Sequence, residues 1–307
     1  MADNELIFLG AACASISKVA VYLSSYEVSG LAKATRSLYA NALKHLVTFL
    51  TINQIQDISI FSSSCLSNFA KYLEDGNLSG KSIQQYMTCT KIFLKWAGHP
   101  VDYTYKISNQ DRQANKKKHL DRWMDEYEIA QCRSYEFARL DINERFMWRA
   151  IVGLLIDTGA RVGEIAGVKE SDIRMDEGAV FIQGKTEPRP VFFSEDTGIL
   201  LQHHLDTRPI RAFDASEGGD IFPPVNKIKS GISDMLKDLG LKNGSDGRGP
   251  HTFRHYTATY LFYVGGMDVT DLAYLLGDKV DTIREKYLHP TPKMLRDRVA
   301  KAMGWKI

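Results

Sequence analysis

Between Thr35 and Leu50 the apolar residues Leu38, Ala42, Leu43, Leu46, Phe49 and Leu50 recur at steps of three and four. That period puts them on one side of a 3.6-residue repeat and excludes a strand over this stretch. The pattern returns twice before Gly98. One run carries Leu66, Phe69, Ala70 and Leu73 and ends at the turn Asp75-Gly76-Asn77, and the other carries Ile83, Met87, Phe93, Leu94 and Ala97. Thr35 is the expected N-cap of the first helix, and Ser79 or Ser82 that of the third. A single apolar stripe needs others to cover it, so these helices, with a shorter one around residues 16–23, predict a bundle of about four.

The periodicity stops at His99. Residues 99–115 contain Pro100 and run into Lys116-Lys117-Lys118-His119, which reads as a linker with a basic tail. The expected organisation is a helical domain over 1–100, a linker over 101–120 and a second domain over 121–307. A chain of 307 residues with 44% hydrophobic content can fill two cores. Net charge is only +2, so any phosphate-binding surface must come from local clusters such as Lys116, Lys117 and Lys118.

Cys13, Cys65, Cys89 and Cys132 are scattered without a C-x-x-C pair, a pattern that fits a reducing cytoplasm and thiols used as small core residues. Residues 6–21 are moderately apolar, but Asp3 and Glu5 precede them and Lys18 interrupts them, so neither a signal peptide nor a membrane span is expected.

In the second domain Asp125-x-x-Glu128 has the form of a capping box for a helix reaching about Phe137. A more buried helix over 145–156 should end at Thr158-Gly159, and a new one starts after Arg161. Residues 179–183 and 190–193 read as two short strands, joined by a turn containing Lys185 and Arg189. Helices are expected over about 197–206, 225–239, 252–264 and 269–276. The fold class is therefore mainly α (α+β), with one small hairpin.

Chemistry concentrates in four places: Thr158-Gly159-Ala160-Arg161-Val162-Gly163-Glu164-Ile165, the Gly184-Lys185 turn 24 positions after Arg161, His251-Thr252-Phe253-Arg254-His255, and Leu275-Leu276-Gly277-Asp278 with Tyr287 nine positions later. Arginine suits a phosphate clamp because its planar fork stays charged and holds two oxygens at once. A tyrosine can serve as nucleophile, and a lysine or histidine can handle the leaving proton. Taken in this order and spacing, the set resembles the catalytic domain of the tyrosine recombinase (phage integrase) family over roughly residues 118–307, and the bundle before it resembles, by pattern only, the family's core-binding domain.

The resemblance implies a site-specific recombinase or integrase that cuts and rejoins duplex DNA, without metal, nucleotide or other cofactor, through a 3′-phosphotyrosyl link to Tyr287. Arg161 and Arg254 would clamp the phosphate, Lys185 would protonate the 5′-oxygen, and His251 would assist. Glu164 and His255 would support these groups, and Lys116, Lys117, Lys118, Arg189 and Lys279 would contact DNA. Asp278 departs from the pattern, since the family usually keeps His or Trp there as a donor and an ionised carboxylate only accepts. The tail from Lys279 holds eight Lys or Arg against three Asp or Glu. Its helix over 293–303 is expected to dock on a neighbouring subunit of a homo-tetramer on DNA, the rival reading being a helix folded back on its own domain. His251 and His255 lie one turn apart, but no third ligand accompanies them, so a metal is not expected. Integration or excision of a mobile element is the first reading of the outcome. Dimer resolution of the Xer type, strand relaxation of the topoisomerase IB type and a regulator that has lost catalysis are the alternatives.

Overall fold

The computed structural model describes residues 17–55, 57–108, 123–183, 188–208, 221–244, 246–288, 290 and 292–305, and the chain divides into two units at Lys116/Lys117. In the first unit, helix α1 (residues 17–24) and the short α2 (Tyr26–Ser29) precede α3 (Lys33–Ile52), α4 (Ser63–Asp75) and α5 (Gly80–Trp96). The expected stripes are the buried faces: Leu43, Leu46, Phe49 and Leu50 pack with Leu66, Phe69 and Leu73, and with Ile83, Met87, Phe93 and Leu94. Each such side chain contributes about 1.5–3 kcal/mol on burial, so the stripe outweighs any single cap. Ser79 caps α5 through the amide of Ser82. Thr35, in contrast, lies inside α3, which begins at Lys33 without a side-chain cap.

The expected linker starts later than its composition suggests. Val101, Tyr103 and Tyr105 pack on the first unit's core, Lys91 donates to the Tyr103 carbonyl at 2.7 Å, and the Tyr105 hydroxyl bonds Glu74 at 2.9 Å.

In the second unit, Asp125 and Glu128 make the expected capping box at the start of α6 (Glu126–Arg133), which ends before Phe137. Helix α7 (Ile142–Thr158) is the core element. Residues 150–156 are buried all round, as an uninterrupted apolar run requires, and α9 (Glu195–Thr207) and α11 (Pro250–Tyr263) pack against it. Gly159 ends α7 in the left-handed conformation, φ 60°, and this turns the chain into the short α8 (Val162–Ala166), with Arg161 at its N-cap.

The sheet has three antiparallel strands in the order β1 (Ile173–Arg174), β2 (Ala179–Ile182), β3 (Arg189–Phe192), with Val180 opposite Val191. The two-residue β1 was not expected, being too short to show alternation. Helices α10 (Val225–Asp238), α12 (Val269–Leu276), α13 (Val280–Lys286) and α14 (Pro292–Met303) follow. Helix α14 lies back on α11 of its own chain: Arg298 stacks over Phe262 and Tyr263 at 4.7 and 5.3 Å, and Ala300 is buried. Leu295, Val299 and Met303 remain exposed. No described helix is long and apolar enough to cross a membrane.

Candidate active site

The left-handed turn at Gly159 delivers Arg161 to the mouth of a cleft of about 1160 Å³, whose walls also hold Arg189, His251, Gly277, Asp278 and Tyr287. Beneath Arg161 lies Glu164. One carboxylate oxygen accepts from the Arg161 amide at 2.7 Å and the other from its guanidinium at 2.8 Å, so a single side chain fixes both the backbone and the fork of Arg161. Burial alone would lower the Arg161 pKa, but Glu164 and Asp278 together carry it above its ordinary value. The group therefore stays charged.

Arg189 corrects the sequence reading. Expected to contact DNA from a hairpin turn, it opens β3 with only 3% of its side chain exposed, and its guanidinium is committed inside the domain to Glu164 at 3.2 Å and to the carbonyls of Leu275 and Leu276 at 2.8 and 2.9 Å. It thereby closes the C-terminal end of α12, where helix carbonyls lack intrahelical partners. A Cβ on Gly277 (φ +62°) would stand 2.5 Å from the Arg189 Cζ, so both conformation and contact demand glycine there.

Arg254 comes from α11 and is 1% exposed. It donates to the carbonyls of Gly159 and Leu276, both at 2.9 Å, and its Nε reaches the Tyr287 hydroxyl at 3.1 Å. Helix α11 also holds the rest of the tyrosine: the His255 ring lies 4.7 Å from the Tyr287 ring, and the buried Thr259 hydroxyl donates to the Tyr287 carbonyl at 2.6 Å. Thr259 escaped the sequence reading. Its one mark in the sequence is a hydroxyl spaced four positions, one helical turn, after His255.

Asp278 lies between the two arginines. One carboxylate oxygen accepts from Arg161 Nη2 at 2.6 Å and the other from Arg254 Nη2 at 2.5 Å. Arg189, Glu164, Arg161, Asp278, Arg254 and Tyr287 thus form one continuous hydrogen-bonded chain of alternating charge that ends on a hydroxyl.

Lys279 lines the same cleft, as do Lys229 and Lys286, neither of which the sequence had singled out. Lys185, Lys116, Lys117 and Lys118 lie outside the described residues, although Gln183 and Pro188, which flank the Lys185 turn, are both on the cleft wall. Among the described residues no group of three or more His, Cys, Asp or Glu is placed to hold a metal ion. The cleft combines an oxygen nucleophile with two fixed cationic forks, a set able to attack a phosphorus atom and stabilise charge on its non-bridging oxygens.

Comparison with known proteins gives the same outline. The phage integrase family model matches residues 127–294, and that of the phage integrase N-terminal SAM-like domain matches residues 21–99. The chain is 26% identical over 295 residues to tyrosine recombinase XerA of Saccharolobus solfataricus, covering 92% of this chain and 91% of that protein. Its fold is similar to that of XerH recombinase bound to a palindromic difH substrate in a post-cleavage complex (17% identity, 88% of this chain and 80% of that one, TM-score 0.67). It is also similar to that of the Tn1549 transposon integrase in complex with transposon right end DNA (15% identity, 93% and 99%, TM-score 0.61). The first family model spans more than half of the sequence and contains Arg161, Arg254 and Tyr287: the chain belongs to the phage integrase family and is a tyrosine-type site-specific DNA recombinase.

Proposed function

We propose that the protein cuts and rejoins duplex DNA through a 3′-phosphotyrosyl intermediate on Tyr287, in the integration and excision of a mobile element. The observation that carries the chemistry is the Tyr287 hydroxyl held 3.1 Å from Arg254 Nε, within a cleft that also holds Arg161. The tyrosine hydroxyl gives up its proton to solvent or to His251 as its oxygen attacks phosphorus, and the bond from phosphorus to the 5′-oxygen breaks. Arg161 and Arg254 bind the non-bridging oxygens, Lys185 gives the leaving 5′-oxygen its proton, and His251 bonds the phosphate. The new ester keeps the energy of the old one, so a 5′-hydroxyl rejoins the strand without ATP.

The working assembly is a homo-tetramer on two sites, with helix 293–303 released from its own α11 to reach a neighbour. A second reading, resolution of chromosome or plasmid dimers, is favoured by the XerA relative, which corresponds to this chain over 91% of its length. A nicked suicide duplex tests the chemistry: the parent protein should become covalently trapped on it and Tyr287→Phe should bind without being trapped. Trapping of that variant would remove Tyr287 from the nucleophile's role. A direct repeat beside a tRNA gene next to the coding sequence would select integration over dimer resolution.

A further inference from the structure

The two carboxylates of the cleft have different positions. Glu164 is 5% exposed and lies under Arg161, bonded to its amide, its guanidinium and Arg189. Asp278 is 17% exposed, stands on the cleft side, and bonds only where the two phosphate-clamping forks converge. Its two oxygens, each given to a separate guanidinium, present what two non-bridging oxygens of a phosphodiester would present.

We propose that Asp278 is an internal stand-in for the scissile phosphate: its carboxylate fills the seat between Arg161 and Arg254, holds both forks in register, and is displaced when a phosphate takes its place. The identity of that phosphate rests on the recombinase reading, whereas the seat itself does not.

Charge decides that carboxylate and phosphate alternate in this seat. Three guanidiniums (Arg161, Arg189 and Arg254) face two carboxylates, so the cluster has one positive charge to spare. A phosphodiester arriving beside an undisplaced Asp278 would consume that excess, and the further negative charge of a five-coordinate transition state would meet a carboxylate within contact distance. With Asp278 gone from the seat, the entering phosphate finds the charge that it needs. The exit is built in. Asp278 follows Gly277, in the left-handed region, and Lys229, Lys279 and Lys286 line the cleft into which a displaced carboxylate would turn. Because Asp278 lies between α12 and α13, whose C-cap is Tyr287, occupancy of the seat is also tied to the segment that carries the nucleophile. Asp278 is thus a specificity-determining residue: only an anion that competes with a tethered carboxylate gains both arginines.

Inorganic phosphate is a sufficient probe, measured by titration calorimetry with the full chain and no DNA. Asp278→Asn, which keeps the shape and removes the charge, is expected to bind phosphate at least tenfold more tightly than the parent. Asp278→Ala should move in the same direction, and Asp281→Asn, which removes a charge from α13 outside the cleft, should not change the affinity. Equal or weaker binding in the two Asp278 variants, or an equal gain in Asp281→Asn, would overturn the proposal. If either Asp278 variant fails to fold, the parent decides the matter through the carboxyl carbon resonance of Asp278. Saturating phosphate should shift it as it leaves the arginines, and a resonance that stays put while phosphate binds refutes displacement. Failure of the suicide-duplex test with success here would leave the anion seat standing without the recombination chemistry.

Discussion

The Nε of Arg254 donates to the hydroxyl of Tyr287 at 3.1 Å, across 33 positions of sequence. The proposed nucleophile is therefore held against one of the two groups proposed to stabilise the oxygens of the phosphate. Proximity of this kind is worth many orders of magnitude in rate only when the geometry is fixed by neighbours, and α11 supplies them.

Thr259 is the backbone anchor. Its hydroxyl donates to the Tyr287 carbonyl at 2.6 Å from a fully buried position, so Thr259→Val leaves a buried carbonyl unpaired at a cost of about 1–3 kcal/mol. Single-turnover cleavage should fall by about 10²-fold, the loss typical of a displaced reacting group, while non-covalent affinity for the duplex stays the same. Thr259→Ser restores the hydroxyl and should restore the rate. An unchanged rate in the valine variant would show that the tyrosine needs no such anchor.

These two residues also mark what sequence could and could not disclose. That Arg161, Arg254 and Tyr287 belong together could be read in advance, because motif order and local helix signals such as the Thr158-Gly159 stop single them out without knowledge of the packing, and the fold does bring them into one cluster. The helices of the first unit were legible from their stripes. Arg189 was misread because a charged residue near a turn looks exposed, and its burial depends on Glu164, 25 positions away. The bridging place of Asp278 depends on Arg161, 117 positions distant, and so appears only once the chain has folded. β1 and α13 are too short to build a period, and the start of the linker was hidden because its three apolar residues dock on a core that composition does not reveal.

Arg189 should matter to stability far more than a surface pair. Arg189→Met leaves Glu164 buried with one partner fewer, frees the Leu275 carbonyl and leaves that of Leu276 to Arg254 alone, which predicts a loss of about 3–5 kcal/mol in urea unfolding. Arg208 bonds Glu170 at 2.5 Å, but that carboxylate is 60% exposed, and Arg208→Met should cost less than about 1 kcal/mol. Similar losses for the two variants would contradict the burial argument.

Acid should weaken the second unit in two steps. Burial lowers the pKa of His204, whose Nε2 meets the Ile221 carbonyl at 2.9 Å. The unfolded chain then binds the extra proton first, and stability declines as pH falls below the unfolded value of about 6.5. Asp157 behaves differently: burial pushes its pKa up, but the Thr197 hydroxyl, the Ser194 amide and Arg133 outweigh burial and leave it below the usual range. Its contribution is complete above the unfolded value of about 3.9 and is lost as pH falls further. Asp157→Asn should shrink the lower step of a melting-temperature profile, to which Asp246 and Asp268, also held below the usual range by hydrogen bonds, contribute as well, and leave the upper one. Loss of the upper step instead would reverse the two assignments.

Cleavage should be indifferent to chelators. Arg161 and Arg254 place fixed positive charge where a divalent cation would otherwise serve, so adduct formation on the suicide duplex in EDTA is expected within about twofold of its rate in magnesium, a spread well under 1 kcal/mol. A tenfold drop in EDTA would place an essential cation in the reaction.

Replacing Asp278 separates its structural from its chemical effect. In Asp278→His the bridge between Arg161 and Arg254 is gone, and two guanidiniums that shared a carboxylate at 2.6 and 2.5 Å now face one another; the unpaired, largely buried charge predicts a lower melting temperature, equivalent to about 3 kcal/mol or more. Cleavage should move the other way. Above about pH 6.5 the imidazole is mostly neutral and presents a ring N–H as donor, so the phosphate meets both arginines and a further hydrogen bond in place of a competing carboxylate. Trapping on the suicide duplex should therefore proceed at least as fast as in the parent, despite the lower stability, and Asp278→Asn should show the same opposition of rate and melting temperature. A fall in both together, with the variants still folded, would mean that the carboxylate itself is needed during the reaction.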